Sequence, residues 1–249
     1  MNYKISVAIR TYNEEKHLRE GLESLNAQTY KNFEILILDS ESTDRTCRIA
    51  SEYNVRIERI AKQDFNYSYA SNKLVQYAKG DLVCFLSGHS VPVSSTYLSR
   101  INEIFADESI GGCYGDVIAL PDGSVTEKVF HGLGFLKSKL SRPPDGIRPE
   151  TRIHPGIFSC CNAAARKHLL EQHPFAQALG HGGEDIEVAY RIMQDGYSIA
   201  HVSDLLVMHS HGKGLIPFCK EYLRWREMWR NVLTYLDQQG QTEANQRRR

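Results

Sequence analysis

The sequence predicts an α/β fold in which a mostly parallel sheet is flanked by helices. Three observations predict it: short apolar runs rich in β-branched residues, helical spacing of apolar residues between those runs, and polar turns where the runs end. Strands that alternate with helices favour a parallel sheet, because each crossover helix returns the chain to the edge where it started. At 249 residues, one large domain with a buried core is the expected organisation.

The first half of the chain carries the regular part of this pattern. Its predicted strands are 5–9, 33–38, 55–57 and 82–86. Leucines at 18, 22 and 25 predict the first helix by their spacing, a second helix is expected to open at 43–44, and a third covers 70–78. This order of elements indicates four parallel strands.

The second half is less regular. Glycines at 111–115 precede a predicted strand at 117–120, and residues 132–152, with three prolines, are predicted to form a long loop. A helix is expected from Ala163 and another from Glu184 to Gln194, before a last strand at 202–208. Long loops in compact domains are usually functional or disordered, so 132–152 is expected to contact a ligand.

Composition limits the partners. Lys plus Arg and Asp plus Glu each number 30, so no net charge attracts nucleic acid. Six cysteines without a Cys-x-x-Cys pair favour a reduced, cytoplasmic compartment. The N-terminus does not resemble a signal peptide, and no apolar run approaches the roughly 20 residues that span a bilayer. Any membrane contact is therefore expected to be peripheral, at the inner face of the cell membrane.

Unusual polar residues follow two predicted strands at their carboxyl ends, where open parallel sheets bind ligands. Asp39 ends the second strand, and Ser87, Gly88 and His89 end the fourth. The Asp39 carboxylate is able to accept an N–H from a nucleobase. It is equally able to cap a turn, and spacing alone does not decide between the two roles.

Several motifs occur together in a recognisable order. They are 7–14 (VAIRTYNE), 38–46 (LDSESTDRT), 65–73 (FNYSYASNK), 78–81 (AKGD), Phe175, 183–185 (GED), 196–197 (GY) and 207–211 (VMHSH). Each is weak alone, but in this order they resemble family-2 glycosyltransferases, bacterial rhamnosyltransferases of surface polysaccharide synthesis in particular, over roughly residues 3–215. The resemblance implies the GT-A fold, which is Rossmann-like and binds nucleotides.

The resemblance also implies an activity and the residues for it. Members transfer a sugar from a nucleotide-diphosphate donor to an acceptor hydroxyl with inversion, and Asp185 matches their general base, with Glu184 beside it. The alternative is that both acids only complement the helix dipole. Residues expected at the donor are Arg10, Thr11, Asn13, Glu14, Asp39, Asn72, Ser87, Gly88 and His89. For Arg10, a phosphate contact and a pair with Asp39 or Asp44 are equally expected.

The metal motif departs from the family. Ser87-Gly88-His89 replaces the usual Asp-x-Asp, although Mg²⁺ and Mn²⁺ prefer oxygen ligands. We expect a divalent metal, Mn²⁺ or Mg²⁺, held by His89 with His209 or His211, of which His209 better matches the family's closing histidine. Two alternatives stay open: histidines that bind the diphosphate without metal, and a His89 that only completes a turn.

The C-terminal stretch is basic and amphipathic. Aromatic and aliphatic residues recur at helical spacing over 218–236, with lysines and arginines among them. Such a helix packs on its own domain, pairs with a second copy in a homodimer, or lies in a membrane interface, where it would suit a lipid-linked acceptor. The expected division is a glycosyltransferase domain at 1–215, with a donor half at about 1–120 and an acceptor half at about 121–215, followed by this helix and a polar tail at 216–249.

Two functions of different classes follow from these features. The first is a transferase that builds a polysaccharide or another glycan. The second is a catalytically silent module that binds a nucleotide sugar or a glycan on the same fold, since the metal motif has lost both acids. The retained Glu184 and Asp185 favour the enzyme, because a binding module needs no base. A nucleotidyltransferase is disfavoured, since 11–14 is not a glycine-rich phosphate loop.

Overall fold

The computed structural model describes residues 2–240, which form nine strands and eight helices. The strands are β1 Ile5–Thr11, β2 Phe33–Asp39, β3 Arg56–Arg59, β4 Leu82–Ser87, β5 Val91–Pro92, β6 Ile110–Ile118, β7 Ile147–Pro149, β8 Asn162–Arg166 and β9 Ser198–Met208. The helices are α1 Leu18–Asn26, α2 Thr46–Ala50, α3 Tyr67–Tyr77, α4 Tyr97–Ile104, α5 Val125–Leu140, α6 Lys167–Gln172, α7 Glu184–Gln194 and α8 Leu215–Gln238.

All nine strands belong to one sheet, in the order β3-β2-β1-β4-β8-β6-β9-β5, with β7 also paired to β9. Strands β1 to β4 are parallel to one another, as the first half of the sequence predicts. Strand β8 runs antiparallel between β4 and β6, whereas β6 and β9 are parallel. The ladder sets Thr11 beside Asp39 and Arg10 beside Ser87, so these strand ends share one edge of the sheet.

Two apolar cores lie on opposite faces of the sheet. Alternate strand residues point to opposite faces, so Ala8 and Phe85 belong to one core and Val7 and Cys84 to the other. Helices α3, α6, α7 and the end of α8 cover the first core, and α1, α2 and α4 cover the second. This sandwich makes the sheet edge rigid where the polar strand-end residues emerge.

The prediction of a long loop at 132–152 is wrong. Most of its first half lies in α5, and part of the remainder forms β7. A capping box starts α5: the Ser124 side chain accepts from the backbone N–H of Glu127, whose carboxylate accepts from the Ser124 backbone. The prolines at 143 and 144 follow the end of the helix, a common position for proline.

Two further predictions in the second half are wrong. The glycines at 111–115 lie within β6 rather than before it, because the neighbouring strand packs against them: a Cβ on Gly115 would overlap the Leu205 carbonyl oxygen. Ala163 belongs to strand β8 and not to a helix. Its strand is buried between β4 and β6, and this tertiary position overrides alanine's preference for helices.

The C-terminal helix forms as predicted and extends beyond both predicted ends as α8. Its buried side chains Phe218, Val232 and Leu236 pack on the domain. No helix within residues 2–240 is long and apolar enough to cross a bilayer. All six cysteines are free thiols. The arginines at 247–249 and most of the predicted polar tail lie outside the described residues.

Candidate active site

The loops after β1 and β2 are tied together by their own polar side chains. Asp39 is 1% exposed, and its carboxylate accepts from the hydroxyls of Thr11 (2.9 Å) and Ser42 (2.5 Å) and from the Ser42 backbone N–H (2.9 Å). Asn13, in the left-handed region at φ 55°, accepts from the Thr43 backbone N–H at 2.8 Å. Asp39 therefore caps a turn, and a nucleobase N–H would compete with these partners.

Glu14 contacts His89. The carboxylate oxygens of Glu14 lie 2.9 and 3.0 Å from Nδ1 of His89, so this nitrogen carries a proton and donates it. Gly88 makes the contact possible, because a Cβ there would lie 2.5 Å from Cγ of Glu14. Nε2 of His89 is buried and has no hydrogen-bond partner among the described residues.

The His209 ring is held in place by a hydrogen bond to Ser90. The Ser90 hydroxyl donates to the Cys161 carbonyl oxygen at 2.9 Å, so it accepts from His209 Nδ1 at 3.1 Å. This leaves the lone pair of His209 on Nε2. Burial lowers the pKa of His209 well below its usual range, with His89 and His211 adding to the shift, so the ring is neutral.

Three imidazoles meet at this point. One ligand atom from each of His89, His209 and His211 lies within 4.8 Å of the others, and the ring centroids are 4.4–5.0 Å apart. The backbone N–H of His211 donates to the Glu127 carboxylate at 2.8 Å, which attaches this corner to α5. The arrangement fits a divalent metal: three imidazoles converge, and a carboxylate and a hydroxyl orient two of them from behind. A nitrogen-rich set favours Mn²⁺ or softer ions over Mg²⁺.

The two predicted catalytic acids begin α7. Gly183 precedes them in the left-handed region at φ 91° and is held against α8, since a Cβ there would overlap the Val232 side chain. Glu184 is 4% exposed, whereas Asp185 is half-buried. Burial raises the pKa of both carboxyls, and for Glu184 the neighbouring Asp185 raises it further. Raised carboxyl pKa values at a site that water can reach are typical of catalytic acids and bases.

Arg10 contacts neither predicted partner. Its guanidinium lies 3.7 Å from the Glu184 carboxylate and 3.1 Å from the Ser71 hydroxyl, with its carbon 5.1 Å from the Tyr67 ring centroid. The expected pair with Asp39 or Asp44 is therefore wrong. Arg10 connects the end of β1 to the predicted catalytic acids.

Asn72 is hydrogen-bonded to the backbone of Phe175. Its side-chain amide donates to the Phe175 carbonyl oxygen at 2.9 Å and accepts from the Phe175 backbone N–H at 2.8 Å. Both ends of the amide thus clamp α3 to the segment before α7. The expected donor contact has no support in this geometry.

Three site features escaped sequence reasoning: Ser90, Glu127 and the backbone of Cys160 and Cys161. Ser90 and Cys161 anchor His209, and the Cys160 backbone donates to Asp185. Only Glu127 left a readable signal, since Ser124-x-x-Glu127 is a capping-box pattern. The 160–161 segment thus bridges the histidines and the predicted catalytic acids.

Comparison with known sequences gives a family and relatives. The family model described as glycosyl transferase family 2 matches residues 6–173. The O-antigen chain rhamnosyltransferase WbaN of Salmonella anatum is 29% identical over 218 residues, which are 83% of this chain and 66% of the relative. This chain therefore spans about two thirds of that protein.

Solved structures share the fold. The mannosyltransferase PcManGT from Pyrobaculum calidifontis, in complex with GDP-Man and Mn²⁺, superposes with a TM-score of 0.60 at 21% identity, over 84% of this chain and 57% of that chain. Staphylococcus aureus TarS in complex with UDP-GlcNAc gives a TM-score of 0.63 at 18% identity, over 85% of this chain and 60% of that chain. The predicted GT-A fold is confirmed.

Proposed function

Since the chain belongs to glycosyl transferase family 2, we propose that it transfers a sugar, with inversion, from a nucleoside-diphosphate donor to an acceptor hydroxyl in surface-polysaccharide synthesis. The likeness to a rhamnosyltransferase supports a deoxyhexose donor. Solved neighbours bound to GDP-Man and UDP-GlcNAc support a nucleotide sugar as the donor class. We place the donor in the half at 1–120 and a glycan or lipid-linked acceptor in the half at 121–215.

One observation carries the proposal: a carboxylate with a raised pKa and a group of three imidazoles flank the same peptide segment. Asp185 contacts the backbone of Cys160, and His209 reaches the carbonyl oxygen of Cys161 through Ser90. Inverting transfer needs these two functions close together. A base removes a proton on the acceptor side, and a cationic group stabilises negative charge on the donor side.

Asp185 is the proposed base. The acceptor O–H donates to its carboxylate, the oxygen attacks the anomeric carbon, and the bond from that carbon to the diphosphate oxygen breaks with its electron pair on the diphosphate. The proton ends on Asp185. Burial raises the pKa of Asp185, so the carboxylate accepts a proton more readily than an ordinary aspartate does.

Arg10 and Glu184 position this base. The nearby guanidinium lowers the pKa of both acids, against the larger effect of burial, and so favours the ionised Asp185. Because Arg10 also contacts Ser71 and the Tyr67 ring, its position is set by α3. The base therefore depends on a contact between the donor half and α7.

His89, His209 and His211 are the proposed diphosphate side of the site. A divalent metal ion held by one ring nitrogen of each histidine would stabilise the charge that develops on the leaving diphosphate. Glu14 and Ser90 bind Nδ1 of His89 and of His209, which would leave Nε2 of these two rings for the ion. In the absence of acidic ligands, the donor diphosphate would contribute much of the affinity for the ion.

A donor screen tests the proposal. We expect one of UDP, GDP or dTDP to raise the melting temperature, more so with Mn²⁺ added, because a ligand that binds only the native state stabilises it. The matching nucleotide sugar should then release nucleoside diphosphate in the presence of an acceptor. Stabilisation by none of the three would contradict the proposal. Binding without turnover for any acceptor would favour the silent binding module.

A further inference from the structure

Helix α5 carries an apolar stripe on its solvent side. The five side chains of this stripe are between 52 and 80% exposed and recur at spacings of three and four residues, so they lie along one face: Val125, Val129, Leu133, Leu136 and Leu140. An amphipathic helix in a globular protein normally turns such a stripe to the core. Only Glu127 of α5 is buried. Helix α5 therefore departs from this rule, because its apolar face is exposed and its buried residue is acidic.

The exposed charge on α5 is of one sign. Lys128, Lys137 and Lys139 flank the stripe, and the only acidic residue of the helix, Glu127, is 2% exposed and points back to the His211 backbone. The solvent side of α5 therefore presents leucines and valines between lysines. This pattern is typical of a helix that lies in the interface of an anionic membrane.

The start of α8 also exposes apolar and basic side chains to solvent. Leu215, Ile216 and Leu223 are between 60 and 70% exposed. Arg226 and Arg230 are exposed farther along the helix, whereas Arg224 pairs with Glu221. The two helices contact each other through aromatic rings, with Phe130 5.0 Å from Phe218 and 6.1 Å from Trp225 between centroids. The exposed apolar and basic side chains thus belong to one helical pair.

We propose that α5 and the start of α8 form a docking surface for an anionic lipid bilayer. A second copy of the chain fits less well, because pairing two α5 stripes would set the lysines of one against those of the other. The helices lie on the membrane and do not cross it. Membrane docking does not depend on transfer activity and is measured separately from it.

Both helices are attached to the active site. The Glu127 carboxylate at the start of α5 holds the His211 backbone, and the Ser124 hydroxyl donates to the Lys213 carbonyl oxygen at 2.6 Å. Further along, Val232 of α8 packs against Gly183, two residues before Asp185. A bilayer bound at this surface would bring the headgroup of a lipid-linked acceptor near the base.

Sedimentation of the whole chain with vesicles tests the proposal. We expect binding to vesicles of phosphatidylcholine with phosphatidylglycerol, weak binding to phosphatidylcholine alone, and loss of binding at high salt, since exposed charges are screened. The double variant Leu133→Asp/Leu140→Asp should weaken binding by about tenfold or more, since two leucine side chains would no longer transfer apolar surface from water into the bilayer. Lys137→Glu/Lys139→Glu should weaken it by a similar factor.

Val93→Asp is the matched control, because this valine is 49% exposed, lies just after β5 and belongs to neither helix. It should bind vesicles like the wild type. Unchanged circular dichroism and nucleoside-diphosphate affinity would show that the double variants fold. Three results would overturn the proposal: no sedimentation of the wild type with anionic vesicles, equal binding to neutral vesicles, or a dimer by light scattering that Leu133→Asp/Leu140→Asp dissociates.

Discussion

Two groups of polar residues lie near the same edge of the sheet, and they differ in what their polar atoms contact. In the loops after β1 and β2, Asp39 and Asn13 accept hydrogen bonds from neighbouring protein groups. In the other group, Nε2 of His89 is buried without a partner among the described residues, and burial raises the pKa of Asp185. The first group holds loops in place, whereas the second keeps reactive atoms available.

This difference shows how a scaffold residue and a reacting residue are distinguished. A buried polar atom without a partner costs free energy, and so does a carboxylate that burial makes easier to protonate. Such costs concentrate at functional sites. If the comparison is right, substitutions in the second group should reduce chemistry or metal binding at constant stability, and those in the first group should reduce stability or nucleotide affinity.

The largest effect is expected for Asp185→Asn. Loss of a general base should lower turnover by about 10²–10⁴-fold, while donor affinity stays near that of the wild type. Nucleoside-diphosphate release and calorimetry measure the two quantities. Since an asparagine side chain keeps the shape of the aspartate that it replaces, near wild-type turnover would remove Asp185 as the base.

Glu14→Gln tests the orientation of the histidines. The amide is a weaker acceptor for the His89 Nδ1 proton than the carboxylate, and loss of such a partner lowers metal affinity by about 10–100-fold. Mn²⁺ titration followed by electron paramagnetic resonance, with the donor nucleotide present, measures this affinity. Glu15→Gln is a neighbouring control, because Glu15 pairs with Arg45 at the surface. Equal Mn²⁺ affinity in both variants would show that Glu14 does not support metal binding.

Asp39→Ala tests the opposite group. We expect nucleotide affinity to fall by about 1–3 kcal/mol, the usual cost of losing hydrogen bonds to a charged group. The melting temperature should fall as well, because Thr11 and Ser42 lose their shared acceptor. A lower melting temperature with unchanged calorimetric affinity would place Asp39 entirely in the scaffold.

Turnover should depend on the ionisation of Asp185. Burial raises the pKa of this carboxyl to about 6, and the base works only when ionised. Turnover should therefore be full above this pKa and fall about tenfold for each unit of pH below it, whereas an ordinary aspartate would stay ionised to about pH 4. Arg10→Met removes a charge that lowers this pKa, so the fall in turnover at acid pH should begin at a higher pH. If the turnover profile of Arg10→Met falls at the same pH as that of the wild type, the role given to Arg10 is contradicted.

The smallest effect on ligand binding is expected for Asn72→Ala. Loss of the clamp on Phe175 leaves a backbone N–H and a carbonyl oxygen without their partner and should cost stability on the order of 1–3 kcal/mol. Nucleotide affinity should not change. Chemical denaturation and calorimetry separate these outcomes, and weaker nucleotide binding at constant stability would restore Asn72 to the donor site.

Sequence reasoning worked where local pattern determines structure. Strands β1, β2 and β4 follow from continuous apolar runs, and α7 from its apolar spacing and the acids in its first turn. It failed at α5, because an apolar stripe that faces solvent and two internal glycines do not look like a packed helix. It also failed at β8, where burial between two strands decides the conformation of an alanine run.

The candidate site was predictable only in part. The resemblance to a family supplied Asp185 and the histidines, whereas the contacts that orient them join residues far apart in sequence. Arg10 meets Glu184, and Ser90 meets His209, only after the sheet has formed. No periodicity encodes such pairs, so the Arg10 prediction chose the wrong carboxylates.

The most direct test of the central claim is the anomeric configuration of the product. With the donor selected by the screen, nuclear magnetic resonance of the first product formed by the wild type reports whether the configuration at the anomeric carbon has changed. A single displacement assisted by Asp185 predicts complete inversion relative to the donor. Retention of configuration would exclude a single displacement from the face opposite the leaving diphosphate and would contradict the account.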